Sequence, residues 1–235
     1  MLFFPLSKPK PLQTGWITPE RKTISARKKR NKPMEKGILL IVSGPAGSGK
    51  STVDALLCAG GDYERSVSYT TRPMRPGEVN GREYNYVSVE EFLALEKEGA
   101  LFEANHFCGN YYGSPRRRAE EVLAAGRNFI MEIDVHGAMN MKKIYPEALL
   151  IMLLPPSYSE QEKRLRGRGT EPEEKILARL EQTKRELDFL PQYDYIVYNR
   201  DEKAEDAADE IRAIVRAEKQ SVRRNPSAKD AYLAN

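Results

Sequence analysis

Eight consecutive residues decide most of what this chain can fold into: Gly44-Pro45-Ala46-Gly47-Ser48-Gly49-Lys50-Ser51, directly after the unbroken apolar run Ile38–Val42. A short run with no polar alternation predicts a strand buried on both faces, as parallel sheets require. The octet has the spacing G-x-x-x-x-G-K-S between a strand and a helix, the context in which this pattern cradles phosphate. Small residues let successive backbone N–H groups turn inward around an anion, and the following helix adds the positive end of its dipole. Lys50 then supplies a point charge for the β- and γ-phosphates, and the Ser51 hydroxyl a ligand for Mg²⁺. The segment Gly44, Pro45, Ala46, Gly47, Ser48, Gly49, Lys50, Ser51 and Thr52 is therefore expected to bind a nucleoside triphosphate.

Downstream, strand signals recur at Asn128–Ile133, Leu149–Leu154 and Tyr195–Tyr198, with helical patterns between them. Ser88 with Glu91, and Ser157 with Glu160, have capping-box spacing. Ser114-Pro115 predicts an N-cap followed by proline at the first helical position, and Gly126 a helix end. The alternation predicts an α/β protein, a P-loop NTPase-type three-layer fold with a central parallel sheet. Residues 66–113 break the rhythm; rich in Tyr and Gly, they predict an α+β insertion. A length of 235 residues suits one such domain. The longest apolar run, Ala148–Leu154, is far short of the roughly 20 residues a membrane span needs, so no membrane partner is expected. The two cysteines, Cys58 and Cys108, make no disulfide framework and lack zinc spacing, which fits reduced thiols in the cytoplasm.

Charge is distributed unevenly. The formal net charge is +4, yet residues 1–33 carry nine basic residues, one acid and five of the fifteen prolines. No helical or strand period survives there, so a disordered basic extension over residues 1–36 is expected. Three readings compete for it: an upstream extension with Met34 as the true start, an organelle transit segment, or a nucleic-acid or nuclear-import arm at Arg27–Lys32. The first is preferred, because prolines interrupt the amphipathic helix of a transit peptide. Beyond the leader the chain is net acidic and shows no basic stripe, so no nucleic-acid partner is expected.

A second chemical cluster follows the octet. Ser66–Gly81 is SVSYTTRPMRPGEVNG, then Arg82-Glu83-Tyr84, and residues 103–114 are EANHFCGNYYGS. Arg72 and Arg75 stand three apart in a Pro/Gly-rich loop that breaks regular structure, and their planar forks suit a second anionic group. A third cluster, Glu132 and Asp134, sits at the carboxyl edge of a strand, where open α/β sheets bind ligands. Arg164 and Arg168, four apart, share one helix face, and Arg179 follows on the next helix. Arg166 between them is expected to be a solvated charge.

GPxGxGKST, SxSxTTRxxRxGExxGxxY and FxxxNYYG, in this order, resemble the motifs of guanylate kinase, over about Gly37 to Lys219. The resemblance implies a guanylate kinase-like domain at 37–219, a monophosphate-binding insertion at about 67–114, a helical lid at about 157–188 and a flexible tail at 220–235. It implies Mg²⁺-dependent transfer of the ATP γ-phosphoryl group to GMP, with ATP and GMP as small-molecule partners. Arg72, Arg75, Tyr84 and Tyr112 would hold the GMP phosphate; Ser68, Glu103 and Ser114 would hold the base. Glu132 and Asp134 would lie near GMP, with Asp134 near Mg²⁺ directly or through water. Lys50, Arg164, Arg168 and Arg179 would carry catalysis, and Asn199 would sit against the ATP adenine. Glu103 makes sense unaided, since one carboxylate accepts from both guanine N1–H and N2–H₂, whereas adenine offers no such donor pair. The chain departs from the family at Ala46, His136 and Arg200; these departures leave phosphoryl transfer intact and bear on the adenine contacts. A kinase for another monophosphate and a non-catalytic module of the same fold are the alternatives. Oligomeric state is left open.

Overall fold

A computed structural model describes residues 36–107, 109–167, 169, 172–200 and 203–234. The leader (residues 1–33), Cys108 and Arg168 lie outside the described residues, and so do the expectations placed on them.

The first apolar run forms β1 (Leu39–Ser43), which is buried throughout, and the octet leads into α1 (Lys50–Cys58). Then come β2 (Tyr63–Arg65), β3 (Tyr69–Thr70), β4 (Asn85–Tyr86), α2 (Val89–Lys97), β5 (Leu101–Phe107) and β6 (Asn110–Pro115). The second half runs α3 (Arg116–Ala124), β7 (Asn128–Glu132), α4 (Val135–Ile144), β8 (Leu149–Leu154), α5 (Tyr158–Gly167) and α6 (Glu173–Leu187). It ends with β9 (Tyr195–Tyr198), α7 (Ala204–Lys219) and α8 (Ala228–Leu233).

Five strands form an all-parallel sheet in the order β2-β7-β1-β8-β9. Alternation along each strand sends its side chains to two separate cores. Leu40, Val42, Ile130 and Ile151 pack beneath Val53 and Leu57 of α1 and Ile211 and Val215 of α7. Leu39, Ile41, Phe129 and Met131 face Val122 and Leu123 of α3 and Met141 of α4. Each fully buried aliphatic side chain here contributes about 1.5–3 kcal/mol relative to exposure. Because β1 is central and its neighbours are reached by crossovers to opposite sides, its carboxyl end opens at a topological switch point. The octet follows immediately.

The insertion is a second sheet in the order β4-β3-β6-β5, with α2 packed on β5. α2 begins with the expected capping box, Ser88 accepting from the Glu91 N–H and Glu91 from the Ser88 N–H. At the other end of the insertion the expected cap differs. α3 starts at Arg116 with Pro115 as its N-cap, so Ser114 stays in β6 and its hydroxyl turns elsewhere. The region expected to be a lid contains the helix pair α5–α6, held by Leu165, Ile176 and Leu180, with Ala46 of the octet packed against them. Arg166, expected to be solvated, bridges the two helices by pairing with Glu162 and Glu173. The tail after Lys219, expected to fray, forms a 3-10 turn at Val222–Arg224 and then α8. Arg223 and Arg224 both pair with Glu218, which is buried in α7, and this ties the turn down. No described helix is long and apolar enough to cross a membrane.

Candidate active site

The loop Gly44–Gly49 connects β1 to α1, and α1 opens without any side-chain cap or acidic residue in its first turn. The capping demand of its leading N–H groups is thus left to an anion. Gly49 holds a left-handed φ of 86°, and a Cβ there would stand 2.2 Å from Asn199 Nδ2. Glycine is required at that point by both conformation and space. Lys50 Nζ folds back over the loop, donating to the Gly44 carbonyl at 2.6 Å and to Pro45 at 3.3 Å. Pro45 is buried, while Ser51 and Thr52 are exposed at the helix start.

Three residues from α5 and the end of β9 brace this loop. Gln161 of α5, 1% exposed, donates from one amide nitrogen to the Ala46 carbonyl at 2.9 Å and to Thr183 Oγ1 at 2.7 Å. Arg164 donates to the Gly47 carbonyl at 3.3 Å and to the Asn199 carbonyl at 2.7 Å. Asn199, just after β9, is buried and donates from Nδ2 to the Ser48 carbonyl at 2.8 Å. The structure thus has one Asn199 N–H brace the phosphate loop, a role beside the contact with adenine that the family resemblance implied. Arg200 reaches outward to Glu210 at 3.7 Å. Arg179 is exposed on α6, and its carbonyl accepts from Thr183.

The carboxyl edge of β7 supplies the acids. The Ser51 hydroxyl donates to Glu132 Oε2 at 3.2 Å, which joins the loop to the adjacent strand. Asp134 caps α4, accepting from the Gly137 N–H at 2.7 Å. Beneath Ser51 lies Asp54, a residue the sequence reading did not single out. It is 0% exposed, no donor group reaches its carboxylate oxygens among the described residues, and its nearest polar neighbour is the Glu132 carboxyl, with which it shares a hydrogen bond when one of the two is protonated. Burial first, and the facing Glu132 carboxylate second, push Asp54 up to about 7. Glu186 of α6 was also passed over; burial raises its pKa, and it lies near Lys50, Asp134 and His136. Glu186 sits among other charged residues and gives no hint in the sequence, whereas Asp54 is the single acid in the apolar stretch Val53–Leu57, which is the signal that could have found it.

Whether Mg²⁺ suits this site is a question of donor chemistry. The available groups, Ser51, Glu132 and Asp134, are oxygens, as a hard cation prefers. Among the described residues no three carboxylate, His or Cys groups converge closely enough to hold a metal ion by themselves. Mg²⁺ ordinarily takes one or two protein oxygens and completes its shell with water and substrate phosphates, so this sparse set fits.

The four-stranded sheet carries the second group. Arg72, Tyr84 and Tyr112 gather there: the Arg72 guanidinium lies 5.7 Å from the Tyr84 ring centroid, and the Tyr84 and Tyr112 rings meet edge-on at 6.0 Å. Glu78, also not anticipated, organises this cluster. It accepts from Arg72 Nη2 at 2.9 and 3.0 Å, from the Arg75 N–H at 2.7 Å and from the Tyr86 hydroxyl at 2.7 Å. Arg72, with help from those other donors, holds the Glu78 carboxyl down to about 2. The Arg75 side chain is exposed. Ser68 immediately precedes β3 and accepts from the Asn85 N–H through its carbonyl.

Glu103 is positioned by an irregularity. The β5–β6 register shifts between Leu101 and Ala104, and such bulges re-aim a side chain. The Glu103 carboxylate accepts from Ser114 Oγ at 3.0 Å and from the Asn105 side-chain amide. Ser114 thus orients Glu103 instead of capping a helix. A Cβ on the neighbouring Gly113 would come within 2.7 Å of Leu101 Cδ1, so the close approach of β5 and β6 needs glycine there. The site residues form two assemblies: a phosphate loop with its acids on the parallel sheet, and an Arg/Tyr cluster with Glu103 on the insertion.

Comparison with known proteins gives this arrangement its context. A family model described as guanylate kinase matches residues 36–218. The chain belongs to the guanylate kinase family. The guanylate kinase of Oceanobacillus iheyensis is 44% identical over 185 residues, covering 78% of this chain and 89% of that protein. That of Clostridium tetani is 41% identical over 200 residues, covering 85% and 94%. Among solved structures, guanylate kinase from Anaplasma phagocytophilum aligns with a TM-score of 0.60 at 34% identity, over 81% of this chain and 90% of that one. The five-stranded parallel sheet with its phosphate loop is thus the family's P-loop NTPase fold.

Proposed function

We propose that this chain transfers the γ-phosphoryl group of ATP to GMP, giving ADP and GDP, in the cytoplasmic nucleotide pool. The observation that carries the reading is Glu103. Each of its oxygens already accepts one hydrogen bond, from Ser114 and Asn105, and keeps a lone pair for the adjacent N1–H and N2–H of a guanine. A site built on a required hydrogen bond rejects the analogue lacking it by about 10⁴-fold or more.

In this reading the backbone of Gly44–Ser51 and Lys50 hold the triphosphate. Arg72, Arg75, Tyr84 and Tyr112 hold the phosphate of GMP, while Ser68 and Glu103 hold its base, with Ser114 orienting Glu103. Ser51 and Glu132 would hold Mg²⁺, with Asp134 near it through water. When bound, Mg²⁺ neutralises charge on the β- and γ-phosphates. An oxygen of the GMP phosphate, ionised at neutral pH, forms the new bond to the γ-phosphorus. The bond to the β,γ-bridging oxygen breaks, and its electron pair leaves with ADP. No general base is needed. Lys50, Arg164, Arg168 and Arg179 offset the charge spread over the transferring group. Because the two assemblies stand on different sheets, the insertion and the α5–α6 pair close over the substrates and exclude water that would otherwise hydrolyse ATP.

The test is ADP release with ATP, Mg²⁺ and each of GMP, AMP, CMP and UMP. Turnover with GMP exceeding that with AMP by about 10³-fold or more is expected. Equal turnover with GMP and AMP would remove Glu103 from base recognition, and no turnover with any monophosphate would overturn the kinase reading.

A further inference from the structure

The family match ends at residue 218, yet the chain beyond it is firmly built. Arg223 Nη2 and Arg224 Nε each donate to the buried Glu218 carboxylate at 2.9 Å. Arg224 Nη2 also donates to the Glu147 carbonyl at 2.9 Å, and Asn225 Nδ2 to the Lys219 and Ser221 carbonyls at 2.8 and 2.9 Å. These bonds fix the tail as one wall of a cleft of about 370 Å³, whose other walls are the start of β1 and the end of α4. The cleft lies at the amino end of β1 (Leu39–Ser43), whereas the phosphate loop leaves its carboxyl end. At roughly 3.3 Å per residue the strand sets the two about 13 Å apart. Open α/β sheets bind their ligands at the carboxyl edge, so this cleft is distinct from the site already described.

Its walls are basic. Lys36, Lys142, Lys219, Arg223 and Arg224 line it together with a single acid, Glu147. Asp194 pairs with Lys142 at 3.1 Å, and Glu218 serves both arginines. Five cations against these three carboxylates leave an excess of two positive charges. The ends of α4 and α7 offset about half a charge each, so an excess of about one remains. Donor capacity is larger still. Lys219 Nζ donates to the Gly126 carbonyl at 3.3 Å, and Arg223 commits one of its N–H groups to Glu218; both keep further N–H donors. Lys36 is exposed, with its ammonium 5.5 Å from the Tyr145 ring centroid. Tyr145, Pro146 and Pro226 give the cleft an apolar side. Its volume falls at the lower end of small-ligand sites, about 300–1,000 Å³, and exceeds what a single phosphate fills.

We infer that this cleft is a second anion site that takes an oligophosphate, a chain of linked phosphates, with Lys36, Lys219 and Arg223 as its principal contacts. Ammonium and guanidinium groups drawn from separate segments suit an anion whose charge is spread along a chain. Inorganic oligophosphate and the phosphate arm of a nucleotide share that chemistry. The site uses none of the residues assigned to phosphoryl transfer, so it stands or falls independently of the kinase reading.

The experiment titrates the isotope-labelled full chain with inorganic tripolyphosphate, without divalent cation, and follows its backbone amides by NMR. Salt is held at about 0.15 M, where diffuse attraction is screened beyond about 8 Å. The amides of Gly37, Tyr145, Glu147 and Asn225 are expected to shift along one saturable curve, separate from that of Gly47 and Gly49 in the phosphate loop. Lys219→Gln combined with Arg223→Gln should weaken the cleft curve by about tenfold or more, through loss of charge-assisted hydrogen bonds. The phosphate-loop curve should stay within about twofold. Orthophosphate should bind the cleft at least about tenfold more weakly than tripolyphosphate, since it meets fewer of the donors. A separate arm with ATP assigns the source: tighter binding than tripolyphosphate marks a nucleotide site, and equal or weaker binding marks an inorganic chain. No saturable shift at the cleft overturns the proposal. So do shifts that the double variant leaves unchanged, shifts spread evenly over surface lysines, and orthophosphate binding as tight as tripolyphosphate. Lys36→Gln, at an exposed position, repeats the comparison should the double variant not fold. Phosphorylation of GMP is assayed separately, so a failure of the kinase reading and a failure of this site give different results.

Discussion

Asn199→Ala separates two jobs that one residue is credited with. The family resemblance places Asn199 against adenine, whereas its amide donates to the buried Ser48 carbonyl at 2.8 Å, inside the phosphate loop. Truncation leaves that carbonyl without a partner, which costs about 1–3 kcal/mol. For a domain of this size each kcal/mol lowers the melting temperature by about 2–4 °C, so a fall of about 2–12 °C is expected. Because the loop must hold the same shape to bind phosphates, ATP and GTP should weaken together, by up to about tenfold for each 1.4 kcal/mol. Asn199→Asp should be worse than Ala, since it sets a carboxylate against the Ser48 carbonyl. Denaturant melts and a panel of triphosphate dissociation constants provide the measurement. An unchanged melting temperature, with ATP weakened relative to GTP, would refute the bracing role and restore base recognition.

Three further outcomes follow from the same geometry. Glu103→Gln replaces an acceptor pair by one acceptor and one donor facing guanine N–H groups; kcat/KM for GMP should fall by about 100-fold or more in a coupled assay, while the low rate with AMP stays level. Gln161→Met keeps the volume but removes the donor shared by Ala46 and Thr183, so stability to urea should fall by about 1–3 kcal/mol with a loss in kcat greater than any rise in KM for GMP. Glu78 has its pKa lowered to about 2, so the stability its ionised form contributes is complete above the ordinary carboxylate value and is lost as pH falls toward 2. Glu78→Gln should therefore flatten the acid-unfolding curve in that window and leave its neutral limb unchanged in slope.

Much of the fold was legible because its signals are local. Leu149–Leu154 and Tyr195–Tyr198 are strands with the bounds their apolar runs suggest. Ser88 and Glu91 form the capping box that their spacing predicts. Ser114-Pro115 misled for an equally physical reason. A Ser before a Pro satisfies the statistics of a helix start, yet strand pairing to β5 and the hydrogen bond to Glu103 hold it in β6. The tail lacks periodicity and so predicts fraying; it is organised by Arg223 and Arg224 on one buried acid.

By itself, then, the sequence determined the phosphate loop and the parallel α/β architecture, and it named the groups proposed to face two nucleotides. Those properties depend on spacing along one segment, where backbone geometry converts residue order directly into shape. Tertiary structure decided which polar atoms remain available. Asn199 and Gln161 brace the loop, Glu78 occupies Arg72, and Asp54 stands buried next to Glu132. None of these pairings is local in sequence except the one between Arg72 and Glu78. Whether a carboxylate or an amide meets a partner, a repelling neighbour or no one depends on desolvation and on contacts between segments that only the folded chain brings together.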